Sequence, residues 1–253
     1  MSTRPSVHNG VAEPRASCLV IQHLEPERPY AIADALAGAG VFADLRVLST
    51  GGRLPANLDG YNAVVVMGGP MSATSDEGFP TRGHETELLA QAVDRELPAL
   101  GVCLGAQLLA VAAGGKVYRG DAGPEIGWAP VFFSREAAED PLFAELPPQL
   151  TVLHWHGDTF DLPPRSTRLA SSELYPNQAF RVGTVAWGLQ FHLEVDLMAV
   201  NAFVSAFAKE AEAQGVMPQT IAAQSAAAIT SAASSRRTVF DRFASLVSRA
   251  PVR

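Results

Sequence analysis

The feature that most limits how this chain can fold is LPALGVCLGAQLLAVAAGG (97–115), nineteen residues without a charge between Glu96 and Lys116. Its length would cross a bilayer, and G-V-C-L-G even fits the small-residue spacing of paired membrane helices. Its composition argues otherwise. Pro98, Gly101, Gly105, Gln107 and the Gly114-Gly115 pair interrupt the run, and no second apolar span of similar length exists. The segment also changes character at Cys103. PALGV (98–102) reads as a strand, and LGAQLLAVAAGG (104–115) as a helix with a glycine stop. A buried strand joined end to end to a buried helix accounts for the missing charge.

The surrounding sequence supplies the partners for such a unit. SCLVIQHL (17–24), DLRVLST (44–50) and YNAVVVMGGP (61–70) read as strands. ERPYAIADALAGAG (27–40) and RGHETELLAQAVDREL (82–97) have helical character. Strands that are apolar throughout, interleaved with helices, predict an α/β fold: an open, mostly parallel sheet with helices on both faces. Farther on, KVYRG, WAPVFFS, LTVLHWH, TRLASS, QAFRV and VAWGLQFH are short strand candidates, suited to an antiparallel extension or the far edge of the same sheet. A helix is expected over 195–213, and two more from about residue 216, around a Ser/Arg break. Residues 1–16 are expected to be a flexible tail, and 17–253 a single domain, since no repeat and no Gly/Ser linker divides them.

Composition excludes several classes. Hydrophobic residues make up 47% and charged residues 18%, enough apolar content for a sizeable core, so the chain is not mostly disordered. The net charge of −7 and the single short basic stretch at 235–238 speak against nucleic acid as a partner. The first residues lack the apolar run of a secretory signal. Two cysteines could form one disulfide. A reduced cytoplasmic protein with one structural thiol, Cys18, and one special thiol, Cys103, is the expected state.

A buried core thiol is the ordinary fate of a cysteine in such a place. The G-V-C-L-G pattern points elsewhere. A residue at a sharp strand-to-helix turn needs small neighbours, and G-x-S-x-G is the serine version of that turn. The turn would present Sγ at the carboxyl edge of the sheet, where open α/β folds bind ligands, and at a helix N-terminus, which favours thiolate. A thiol nucleophile needs a base. His8 lies in the tail, and His23 and His84 carry no supporting pattern. His192, in AWGLQFHLEVD, follows an apolar strand, and Glu194 two residues on points the same way in extended chain, able to fix the ring's tautomer.

Three motifs together, V-M-G-G-P-M-S (66–72), G-V-C-L-G-A-Q (101–107) and Q-F-H-L-E (190–194), resemble the class I glutamine amidotransferase family. The resemblance implies a flavodoxin-like α/β fold and a Cys103–His192–Glu194 triad. It also implies an oxyanion hole from the backbone N–H groups of Gly69 and Leu104. Many members carry His-Pro-Glu where this chain has His192-Leu193-Glu194, and LHWHGDTF (153–160) and YPNQAFR (175–181) look more like the branch related to the glutaminase part of GMP synthase. In that branch Gln107, His156, Asp158, Gln178 and Phe180 would border the substrate. His154 and His156 with Asp158 also form an H-x-H-x-D pattern seen in metallo-hydrolases, but no further histidine cluster follows, and no metal or organic cofactor is expected.

The activity so implied is hydrolysis of the γ-amide of glutamine through a cysteinyl thioester, with ammonia passed to a separate synthase. The chain has no phosphate-binding G-x-x-x-x-G-K-[ST] loop and no room for an ATP-using synthase. An independent hydrolase of γ-glutamyl amides or peptides would use the same triad, and a non-catalytic regulatory member is the third alternative. Glutamine or a γ-glutamyl amide, a possible synthase subunit and a possible oligomer are the expected partners, with no membrane.

Overall fold

The computed structural model describes residues 16–251; the expected tail lies outside these residues except for Ala16. The chain begins β1 (Ser17–Gln22), α1 (Tyr30–Gly38), β2 (Phe42–Val47), β3 (Ala63–Val66), α2 (Arg82–Asp94), β4 (Ala99–Val102) and α3 (Leu104–Ala112). It continues through β5 (Val117–Arg119), β6 (Glu125–Phe133), β7 (Gln149–His156), β8 (Asp158–Phe160), β9 (Ser166–Ser171), β10 (Ala179–Val182) and β11 (Ala186–Leu189). It closes with α4 (Leu197–Ala206), α5 (Ala208–Ala213) and α6 (Pro218–Arg249).

Nine strands form one sheet in the order β2-β1-β3-β4-β11-β10-β9-β6-β7, and β5 and β8 pair separately. The first five are parallel; from β10 onward the pairs are antiparallel. Of the later strand candidates, β6, β7, β9 and β10 extend the same sheet at its far edge and β11 joins them to β4, whereas KVYRG forms β5 in the separate pair. The inner parallel strands β1, β3, β4 and β11 are buried on both faces, so their side chains are almost all apolar and no alternation appears, whereas β2 at the edge is partly exposed and carries Asp44 and Arg46. Cys18, Val20, Ala63, Val65, Leu100 and Val102 face α1 and α6, whose Ile32, Leu36, Phe240 and Phe243 complete one core. Leu19, Ile21, Val64, Val66 and Ala99 face α2 and α3 and meet Leu88, Leu89, Leu108 and Leu109.

Two helical expectations are corrected. The segment expected as one helix over 195–213 breaks at Phe207 into α4 and α5. The Phe207 ring turns in toward Trp155 and Phe203, and Asp196 caps α4 by accepting the Ala199 N–H at 2.7 Å. Conversely, the Ser/Arg stretch does not separate two helices, because α6 runs unbroken for 32 residues. Its buried residues Ile221, Ser225, Ala228, Ala232, Ser235, Val239 and Phe243 recur every three or four positions, a stripe that passes straight through Ser234–Arg237. Arg236 anchors that point by donating to the Val195 carbonyl at 2.6 Å. Serine lowers helix propensity only slightly, and packing of the stripe outweighs it. Among the described residues no helix is long and apolar enough to cross a membrane.

Continuity of α6 has a direct test. Ser234 is exposed, so Ser234→Pro acts on the backbone alone. It should cost about 3 kcal/mol or more, read as a lower midpoint in urea unfolding; a chain with a natural break there would tolerate it.

Candidate active site

The strand-to-helix turn between β4 and α3 is as tight as backbone allows. Cys103 has φ 50° and ψ −107°, a conformation that non-glycine residues adopt at a cost of about 1–3 kcal/mol. Its neighbours let this happen. A β-carbon on Gly101 would collide with the Gly105 carbonyl, and one on Gly105 would collide with the Val66 carbonyl of β3. The turn places the thiol at the N-terminus of α3, where the Leu104 N–H points at Sγ and favours thiolate. Burial nevertheless pushes the Cys103 thiol up, with His192 pulling it back.

His192 and Glu194 follow β11, the strand beside β4, and extended chain puts both side chains on one side. Glu194 Oε1 accepts from His192 Nδ1 at 2.8 Å. That bond fixes the tautomer and leaves Nε2, which has no other partner, for the thiol. The two stabilise each other's charged forms. Burial opposes a charge on His192, but Glu194 and the thiol outweigh it and raise the imidazole well above its usual range.

Gly69, Cys103, Gln107, His156 and Asp158 line one cavity of about 350 Å³. A β-carbon on Gly69 would press on the Leu104 and Met71 side chains, so the Gly68-Gly69 loop lies against the start of α3. Gln107 Nε2 donates to Gln190 at 3.2 Å, and Asp158 pairs with Arg119 at 3.7 Å. Two residues expected beside the substrate are elsewhere. Phe180 is fully buried in the core, its ring 4.9 Å from that of Phe160. Gln178 stands behind His156, donating to Glu125 at 2.5 Å.

The histidine-rich pattern resolves into a different cluster from the one its spacing suggested. Asp158 contributes only its backbone carbonyl, to His156 Nδ1 at 3.0 Å. The carboxylate is Glu125, opposite His156 in the β6–β7 ladder. Its Oε2 lies 3.1 Å from His156 Nε2 and 3.8 Å from His154 Nδ1. Among the described residues, Glu125, His154 and His156 are the group whose ligand atoms have metal-binding spacing. The Gln178 amide reaches both Glu125 and His156 Nε2, so these two are already joined without an ion. Burial holds His154 neutral, with its pKa lowered to about 4.

Sequence patterns missed two acidic groups and the histidine that serves the glycine loop. His23, at the end of β1, donates from Nδ1 to the Gly68 carbonyl at 2.7 Å and from Nε2 to Glu85 of α2 at 2.8 Å. Two acceptors require both ring protons, so His23 is an imidazolium. Burial opposes that charge, but Glu85 raises the pKa above the ordinary value. The third group is Glu27, whose buried carboxyl reaches the same cavity and is pushed up to about 7 by burial. None of these residues has a telltale neighbour in sequence; only the fold brings them to the loop.

With this geometry, comparison with known proteins is decisive for the family. Residues 30–208 match the family description "Glutamine amidotransferase class-I", and the chain belongs to that family. The glutamine amidotransferase-like protein YfeJ of Salmonella typhimurium is 37% identical over 169 residues, covering 65% of this chain and 70% of that one. A glutamine-hydrolyzing GMP synthase of Porphyromonas gingivalis is 36% identical over 145 residues, 56% of this chain but only 27% of the synthase. The solved structure of a glutamine amidotransferase from Thermotoga maritima superposes with a TM-score of 0.82 at 34% identity, covering 91% of this chain and 99% of that one.

The His23–Glu85 pair gives the loop a pH-dependent support. Both side chains are almost wholly buried, and breaking such a pair costs about 3 kcal/mol. Because the His23 pKa is raised in the fold, that contribution is complete below the free value of about 6.5. It is lost as pH rises through the folded value. Unfolding of wild type and Glu85→Gln followed against pH should therefore show a stability gap that narrows toward alkaline pH.

Proposed function

We propose that the protein is a cysteine-dependent hydrolase of γ-glutamyl amides, glutamine among them. The carrying observation is that Cys103 and Gly69 line one cavity, while His192, held by Glu194, lies behind them beside the thiol and against Gly68. The Cys103 thiolate attacks the γ-carbonyl carbon and a C–S bond forms. The Gly69 and Leu104 N–H groups hold the developing oxyanion, each donor worth about 3 kcal/mol. As the C–N bond breaks, His192 gives its proton to the leaving nitrogen, and ammonia or an amine departs. His192 Nε2 then takes a proton from water, the hydroxide attacks the thioester, and glutamate leaves as the C–S bond breaks. Glu194 stabilises the imidazolium in both halves.

A second reading has the ammonia consumed by a separate synthase. Similarity to the glutamine-hydrolyzing GMP synthase of P. gingivalis supports it, since the matched segment is a minor part of that protein. Gln107 and the side chains of His156 and Asp158 are proposed to hold the glutamyl end in either reading. A cytoplasmic setting agrees with two free thiols.

The thioester is the step to trap. Rapid quenching with glutamine or a γ-glutamyl anilide, followed by intact-mass analysis, should show the protein heavier by one glutamyl group. Cys103→Ala should remove both the adduct and glutamate release, whereas Cys18→Ala should keep both. Absence of any adduct and of turnover with wild type would exclude the mechanism. A glutaminase rate that stays low alone and rises with an added synthase would favour the second reading.

A further inference from the structure

The charged side chains around the cavity fall into two groups. Arg119 and Asp158, paired at 3.7 Å, offer both signs of charge. Glu27 and Glu210 offer acid alone, beside the aromatic rings of Trp155 and Phe207. Trp155 Nε1 donates to Glu210 Oε2 at 3.2 Å, and the Trp155 and Phe207 rings are 6.0 Å apart.

Glu27 is the anomaly. It is 4% exposed, and its Oε2 is buried without a hydrogen-bond partner. Buried carboxylates are normally paired. Gly68 exists in a form that admits this one, because a β-carbon there would collide with Glu27 Oε2. The same β-carbon would lie 3.2 Å from His192 Cε1. Glu27 therefore stands beside the ring proposed to protonate the leaving nitrogen. Glu210 adds negative potential at Glu27. Both acids line the cavity, and although the rings of His192 and His23 favour an ionised Glu27, its Oε2 is left without a hydrogen-bond donor.

We propose that Glu27 and Glu210 form a leaving-group subsite for an ammonium, and that the favoured substrate is a γ-glutamyl amide of a diamine whose distal nitrogen is protonated. Trp155 and Phe207 supply apolar surface for the methylene chain and ring faces for the cation. The inference rests on the thioester chemistry proposed above. Bond making and breaking are the same: the proximal nitrogen leaves with the proton from His192, and the two carboxylates are not consumed.

Two isosteric conjugates test it on the full chain: mono-γ-glutamyl diaminobutane, which is charged, and γ-glutamyl pentylamide, which is not. Wild type should favour the charged conjugate in kcat/KM by at least about tenfold, and favour it over glutamine. Glu27→Gln keeps the shape without the charge and should bring the ratio of the two conjugates close to one. Glu210→Gln, at an exposed position, should lower it in part and remains informative should the buried variant fold poorly. Equal rates for the two conjugates with wild type, glutamine as the better substrate, or an equal loss on both conjugates in Glu27→Gln would overturn the subsite. Turnover without discrimination sinks this inference alone; no glutamate release from any of the three sinks the thioester chemistry, and the subsite with it.

Discussion

The structure depends on one close approach of backbone to backbone. Gly101 lies under the first turn of α3, and Gly105 lies against the carbonyl of Val66 in the neighbouring strand. Only residues without a β-carbon permit both contacts, and together they press α3 onto β3 and β4. Cys103 is then forced to positive φ, because the chain must reverse within one residue. The thiol is thus aimed by packing, with its Sγ donating to the Trp155 carbonyl and accepting from Gln190 Nε2, both at 3.7 Å. The strain is held by the two apolar cores on either side of the sheet.

Around that turn the protein keeps an unusual density of buried ionisable groups. His192–Glu194 and His23–Glu85 are both short pairs with almost no solvent exposure. They do different work. Glu194 directs one nitrogen of His192 at the sulfur, whereas Glu85 keeps His23 charged so that it can hold the carbonyl of Gly68. That bond ties back the carbonyl of the residue just before Gly69, which lines the cavity. Acid on one side of the loop and imidazolium on the other also explain why so short a Gly-Gly segment is placed so definitely.

Much of this was legible in the sequence, for physical reasons that differ by region. Strands buried on both faces must be apolar throughout, so β1, β3 and β4 stand out. Cys103, His192 and Glu194 were legible because each sits in a short pattern: small residues around a sharp turn, or two side chains on one face of extended chain. Residues whose meaning comes only from a distant partner were not legible. His23 needs Glu85, Glu27 needs the vacancy at Gly68, and Glu125 needs the β6–β7 register before any of them stands out. Phe180 was misplaced because closeness to Gln178 in sequence does not tell which side chains reach a cavity and which fill the core. The Ser/Arg stretch of α6 looked like a break since propensity is visible in a sequence and the continuity of a packed stripe is less so.

The strand order carries a consequence for the chain as it is made. β11 lies in the middle of the sheet, paired on one side with β4, yet it is the last strand in sequence. Everything from β5 to β10 must be synthesised before β11 can slot in beside the cysteine strand. His192 and Glu194 ride directly behind it. A growing polypeptide therefore holds Cys103 for a long interval with neither His192 nor the neighbouring strand in place, and the arrangement forms in one late, long-range step. The Cys103–His192–Glu194 arrangement is therefore absent, by topology alone, from every chain that has not yet reached β11.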